Sequence, residues 1–165
     1  MKSYYIQQKV FSWKDRFSVK DGNGEDVFRI EGEFISIGKK LHMYDSSGRE
    51  VFYIVQRIIS FMPTYEIYAG NNHVATVSKR ISFFTPEYLV EGPGWIVEGS
   101  LGAHNYRIRG GNGNVAVIKK AWVSFGDYYE ISVGNDVNAK LAVAVAIVID
   151  AVLASSDSAA MTMSY

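Results

Sequence analysis

From Phe17 to Ile30 the chain reads FSVKDGNGEDVFRI, two runs of alternating apolar and polar positions around a break rich in Gly and Asp. Period-two alternation marks a strand with one face in a core, and the break supplies the residues a tight turn needs, so the segment predicts a hairpin. Residues 41–54, LHMYDSSGREVFYI, repeat it at a spacing of 24: Val19 answers to Met43, Asp21 to Asp45, Gly24 to Gly48, Val27 to Val51 and Ile30 to Ile54. Further on, YEIYAGNNHVATV from Tyr65 aligns without gaps on YRIRGGNGNVAVI from Tyr106, again with Asn and Gly at the turn. After three of these four hairpins the chain passes from a basic residue toward an aromatic one, as QRIISF at 56–61, KRISFF at 79–84 and KKAWVSF at 119–125. Between the halves, FRIEGEFISIG from Phe28 resembles YLVEGPGWIVEG from Tyr88, each reading as two strands broken at Glu-Gly. Pro63, Pro86 and Pro93 fall in connections, where a missing N–H does no harm. The pattern predicts an antiparallel barrel of about twelve strands over residues 4–134, built from two related halves.

After Gly134 the pattern changes. Residues 141–153, LAVAVAIVIDAVL, are apolar on every side except at Asp150, and Asn135, Asp136 and Asn138 stand before them as candidate N-caps. Val143, Val145, Ile147 and Ile149 also alternate with small residues, but an uninterrupted stretch from Val137 to Leu153 is long for a strand and ordinary for a helix. A membrane span needs about 20 apolar residues, whereas this segment is shorter and carries Lys140 and Asp150. A helix without a polar face must be buried. A twelve-stranded barrel is too wide for its own inward side chains to fill, and a rod of Ala, Val and Ile about 25 Å long matches its height.

The fold expected is therefore mainly β: one domain over residues 1–165, a closed antiparallel barrel of about twelve strands enclosing a C-terminal central hydrophobic α-helix at 137–153, then a tail at 154–165. Ala142, Ala144, Val145 and Ala146 should be inaccessible to solvent. Asp150 should emerge at the barrel mouth or meet a basic side chain or backbone donors.

Composition agrees and narrows the chemistry. Aromatic residues make up 14% of the 165, with eleven Tyr and nine Phe, which favours strands. Seventeen basic and seventeen acidic residues cancel, so no global field draws the chain to nucleic acid or anionic surfaces, and any such partner needs a local patch. There is no cysteine, hence no disulfide, thiolate zinc site or thiol nucleophile. The first residues contain no apolar run of signal-peptide length, so the expected location is cytoplasmic.

Several motifs offer chemistry and read better as structure. Asp21, Asn23, Glu25 and Asp26 alternate like a calcium loop, but Gly22 and Gly24 are misplaced for one and Gly32 stands where the closing Glu belongs. Gly110, Gly111 and Gly113 precede a strand, not the helix that a phosphate cradle requires. His42, His73 and His104 lie on separate hairpins without partners at ligand spacing. No catalytic residue, metal ligand or cofactor is expected.

Basic residues are the remaining lead: Lys39 and Lys40, Arg57, Lys79 and Arg80, Arg107 and Arg109, Lys119 and Lys120. Arg107 and Arg109 lie two apart on one strand and so share a face, which for two guanidinium groups is the outer one. With Lys119 or Lys120 on the next strand they form the candidate ligand-binding set, Arg107, Arg109, Lys119 and Lys120. The plain alternative is a set of solvated wall charges.

Hairpins of the form D-x-x-G-x-x-V followed by a terminal apolar helix resemble the LURP-one-related proteins, called YxjI-like in bacteria, within the Tubby C-terminal-like superfamily that also includes phospholipid scramblases. The resemblance runs from about Tyr4 to Leu153 and rests on Lys14-Asp15 with Phe17, on Asp45-Ser46-Ser47-Gly48 leading to Val51, on Lys119-Lys120 and on Ile149-Asp150-Ala151. It implies a twelve-stranded barrel around a central helix, with no enzyme activity established for the bacterial members. Tubby binds phosphoinositides through basic side chains on the barrel exterior, and no residue-by-residue match to that site is present.

The functional expectation is a non-enzymatic domain, peripheral to a membrane, that binds anionic phospholipid or phosphoinositide headgroups. The alternatives are a protein-interaction scaffold with an unidentified partner and an unrecognised enzyme; a nucleic acid partner and a transmembrane span are not expected. A basic cluster on one side of the barrel favours the first, an exposed apolar patch the second, and a deep cleft of converging titratable groups the third.

Overall fold

The computed structural model describes residues 1–8, 16–33, 36–100, 105–123, 126–135 and 138–162, with side chains described except at 7–8, 120–123, 126–128 and 154–162. Lys14, Asp15, His104, Asp136 and Val137, which entered the sequence reading, lie outside those residues.

Among the described residues the alternating segments form β1 (Lys2–Gln8), β2 (Phe17–Asp21), β3 (Asp26–Gly32), β4 (Lys40–Asp45), β5 (Glu50–Gln56), β6 (Thr64–Ala69), β7 (Asn72–Arg80), β8 (Glu87–Glu91), β9 (Trp95–Gly99), β10 (Tyr106–Gly110), β11 (Gly113–Val123) and β12 (Gly126–Val133), followed by helix α1 (Ala139–Thr162). Each strand pairs antiparallel with the next, and β1 closes the barrel on β12 from Lys2 opposite Val133 to Gln8 opposite Asp127.

The repeats are visible in backbone detail. In β2–β3 the Asp21 carboxylate accepts the N–H groups of Asn23 and Glu25 at 2.9 and 3.1 Å, and in β4–β5 Asp45 accepts those of Ser47 and Arg49 at 3.0 and 3.1 Å. The glycine that follows each Asp, Gly24 or Gly48, has φ near +80°, where a side chain would be strained. Both carboxylates are thus occupied in shaping turns. The hydroxyl of Ser47 and the donors of Arg49 hold the Asp45 carboxyl down at about 2. Four hairpins also carry a bulge at equivalent places, after Val19, Met43, Ile67 and Ile108. A bulge adds local twist, which is how a sheet is curved toward closure.

One expected strand is absent among the described residues. Of FISIG after Gly32, the described part from Ser36 does not pair as WIVEG does in β9: Ser36 to Lys39 run as an irregular connection, with Ile37 exposed and Gly38 at φ +78°. Their backbone is used sideways, the Gln56 N–H donating to Lys39 O at 2.8 Å and the Lys39 N–H to Gln56 Oε1 at 3.1 Å. The halves are related through their hairpins and not through this segment.

Helix α1 starts at Ala139 because Asn138 caps it, its Oδ1 accepting the Leu141 N–H at 3.2 Å. Ala142, Ala144 and Val145 are 0% exposed and Ala146 6%, surrounded by the inward residues of the barrel wall. Burial of each larger aliphatic side chain contributes about 1.5–3 kcal/mol. The helix extends past the expected end at Leu153 as far as Thr162; residues 154–162 contain neither Gly nor Pro to stop it. Asp150 is half-buried at the barrel mouth and accepts the Tyr129 hydroxyl at 2.5 Å, close to Lys39, whose ammonium donates to Ala151 O at 3.1 Å.

The two ends differ. At the turn end lie the five tight hairpin turns and the start of α1; at the loop end lie the longer connections, including 33–39, 57–63 and 81–86, and the Asp150 turn of the helix. Among the described residues no helix is long and apolar enough to cross a membrane.

Candidate functional site

Strands β9, β10 and β11 present the candidate basic residues. Tyr106 and Ile108 point into the core, so alternation turns Arg107 and Arg109 outward, and both are exposed. Arg107 lies opposite Glu98 on β9 and Val117 on β11; Lys119, two positions beyond Val117 on the same face, is exposed and opposite Glu130 on β12. Arg107 and Lys119 are therefore diagonal neighbours across β10 and β11. They border a surface depression near the loop end together with Glu98, Ser100, Asn105 and Val117.

Arg109 belongs to a different arrangement. The bulge after Ile108 shifts it opposite Asn114 on β11, while on β9 it keeps the regular register opposite Ile96, and its guanidinium donates to Glu98 Oε1. Glu98 is thereby engaged, while neither Arg107 nor Lys119 has an ion pair among the described residues. Glu130 accepts the hydroxyls of Ser132 at 3.2 Å and Ser3 at 3.4 Å. Lys120 is paired through its backbone with Tyr129, and its side chain lies outside those described. The structure thus brings together two of the four candidate residues and holds a third beside them in an ion pair.

Of the other candidate basic residues, Lys79 has no ion pair among the described residues and the rest are engaged. Lys40 pairs with Glu33 at 3.5 Å, Arg57 with Glu66 and Arg80 with Glu87 at 4.0 Å. Lys39 is half-buried against the helix; desolvation pulls its ammonium down to about 8, a shift that Asp150 partly opposes. His42 lies between Glu50 and Glu33, at 2.6 and 3.1 Å, on the outer face of β4. Burial alone would lower its affinity for a proton, but these two carboxylates outweigh it and raise the value. His73 bonds the Thr76 hydroxyl at 2.9 Å. Gly110, Gly111 and Gly113 form the β10–β11 turn.

The sequence reading passed over the loop-end rim. Ile37, Ile58, Ile59, Phe61, Ile81, Phe83 and Phe84 are all exposed there, Ile59, Phe61 and Phe83 each by more than 90%. The signal lies in QRIISF and KRISFF, apolar runs that follow a basic residue at the end of a strand.

A family model described as LURP-one-related matches residues 2–150. The chain is 34% identical over 149 residues to the uncharacterised protein YxjI of Bacillus subtilis (strain 168), covering 90% of this chain and 92% of that one. It is similar in fold to the X-ray structure of a protein from Arabidopsis thaliana, with a TM-score of 0.62 and 17% identity over 91% of this chain and 90% of the other.

Proposed function

This chain belongs to the LURP-one-related family, and on that premise we propose that it is a non-enzymatic binding domain for anionic lipid headgroups, acting at a membrane surface on its cytoplasmic side. The observation that carries the reading is the pair Arg107 and Lys119: two exposed cations on one outer face, diagonal across adjacent strands, bordering one depression and without an ion pair among the described residues. Two exposed cations bind a phosphate modestly, at about 1 kcal/mol each near an anionic surface, and salt weakens the contact. Ser100 and Asn105 add neutral hydrogen-bonding groups at the edge of the depression.

The test is co-sedimentation with phosphatidylcholine vesicles containing phosphatidylserine or a phosphoinositide, at low and at physiological salt. Wild type should be recovered with the anionic vesicles, less so at the higher salt, and an Arg107→Ala, Lys119→Ala variant should be recovered several-fold less. A soluble inositol phosphate as competitor separates headgroup recognition from general attraction to the surface. Equal recovery of the two proteins, or recovery of neither, overturns the reading.

A further inference from the structure

The exposed apolar side chains at the loop end form one arc. The connections 57–63 and 81–86 are neighbours on the rim, because β6 and β7 between them are paired and the Lys79 N–H donates to Pro63 O at 3.0 Å. The connection 33–39 joins the same arc through the bonds between Lys39 and Gln56, and a Cβ at Gly38 would sit 3.3 Å from Ile58. The depression bordered by Arg107 and Lys119 lies at the next connection, 100–105, on the same end of the barrel.

The two central connections are built alike. Each places a basic residue before an apolar run that contains one serine and closes at proline: Arg57-Ile58-Ile59-Ser60-Phe61 ahead of Pro63, and Arg80-Ile81-Ser82-Phe83-Phe84 ahead of Pro86. In both, the serine hydroxyl turns back on its own connection, Ser60 donating to Arg57 O at 3.4 Å and Ser82 to Thr85 O. The polar group is satisfied internally and the Phe side chains are left outside, Phe61 at 91% and Phe83 at 93% exposure. Residues 57–63 and 79–86 contain three basic residues and no carboxylate; Glu66 and Glu87, which pair Arg57 and Arg80, stand on the strands behind.

We propose that this arc, led by Ile59, Phe61, Ile81, Phe83 and Phe84, inserts into the interfacial layer of an anionic bilayer and sets the barrel loop-end down on the membrane. An exposed apolar patch of this kind marks a contact with a protein or with a membrane. Charge favours the membrane: the tips hold no carboxylate to repel anionic headgroups, Lys79 beside them has no ion pair among the described residues, and Glu66 and Glu87, which pair Arg57 and Arg80, stand back on the strands. Interfacial insertion reaches about 5–10 Å, the depth of a loop tip, and leaves the backbone within reach of water. The inference rests on other residues than the headgroup site and shares with it only the membrane as partner.

Because the chain has no cysteine, one can be introduced and labelled alone. Phe83→Cys and, as the turn-end control, Ser47→Cys are each coupled to an environment-sensitive dye and mixed with phosphatidylcholine vesicles with and without phosphatidylserine. The label at 83 should shift to the blue and brighten with anionic vesicles while the label at 47 does not. A Phe61→Ser, Phe83→Ser, Phe84→Ser variant, checked by its melting curve to be folded, should lose roughly a hundredfold or more in vesicle partition. Vesicle binding without a shift at 83 overturns the insertion and leaves the Arg107 and Lys119 reading intact. A shift at 83 with unchanged binding of the Arg107→Ala, Lys119→Ala variant supports insertion and removes the headgroup site. Absence of vesicle binding overturns the inference, and conversion of a wild-type dimer to a monomer by the triple serine variant would then assign the arc to contact between copies.

Discussion

At the turn end of the barrel, shape is set by backbone geometry; at the loop end, by side-chain chemistry. Five tight turns close the first, with Gly24, Gly48, Gly70, Gly92 and Gly113 at positive φ and few alternatives tolerated. At the second, longer connections expose Ile59, Phe61, Phe83 and Phe84, while Lys39 and Asp150 sit at the helix in the mouth. At the turn end, among the described residues, the large exposed apolar side chains are Met1 and Ile96, the latter only 37% exposed. The contrast teaches that one end can carry the constraints of folding while the other varies to meet a partner, as expected where a rigid scaffold presents functional loops.

The largest effect expected removes the axis that both ends share. Val145 is 0% exposed halfway along the buried part of α1, and Val145→Asp would place an unpaired charge there, so soluble protein should not be obtained on expression. A soluble Val145→Asp protein with a normal melting curve would dissolve the comparison, since the helix would not be the core.

Next comes a direct contest between the ends. Gly92 has φ +101°, and a Cβ there would lie 2.3 Å from the Val74 carbonyl oxygen, so Gly92→Ala should cost about 3 kcal/mol or more in urea denaturation. Phe83→Ser at the loop end removes a far larger side chain, yet should change stability by less than about 0.5 kcal/mol because Phe83 is already in water. Similar losses from both would mean that the loop end is structural.

The smallest effect sharpens the description of the mouth. Lys39 holds its proton less tightly in the folded chain, at about 8 against an ordinary 10.5. Between those values the unfolded chain binds more protons, so the contribution of this group to stability rises with pH across that window. The penalty of keeping the ammonium half-buried is full below about 8 and fades toward 10.5. Denaturation midpoints measured from pH 8 upward should rise less steeply in Lys39→Met than in wild type. Parallel pH profiles would show that Lys39 is as well hydrated in the folded chain as in the unfolded one.

Much of the architecture was legible because its causes are local. Asp21 and Asp45 recur with Gly three residues on, and turn chemistry of that kind is enough to place a hairpin. Residues 141–153 had only one physical destination, a buried axis. FISIG misled because its alternation suits a strand while the backbone at Lys39, just after it, is drawn aside to Gln56, a tertiary contact that no local pattern announces. Residues 154–162 extend the helix although their polar content reads as a tail. At the site, period two placed Arg107 and Arg109 on the outer face and left open whether Lys119 or Lys120 joined them. It could not foresee the register of β9, which sets Glu98 diagonal to Arg109 and pairs it off. The rim was missed for a related reason: hydropathy identifies Phe61 and Phe83 as apolar but does not say whether they face the axis or water.

The pairing of β1 with β12 joins the first and last strands of the wall, and the helix that fills it follows them in the chain. An unfilled ring of this width would hold an unpacked interior, so closure and filling must occur together, after all twelve strands and the helix have been synthesised. Until then the chain shows apolar strand faces and open edges to its surroundings. Long-range pairing of this sort folds slowly and is exposed to aggregation while it waits. The helix that follows the wall therefore decides the fate of the strands before it, and a chain cut short of Leu141 would have walls but nothing to close around.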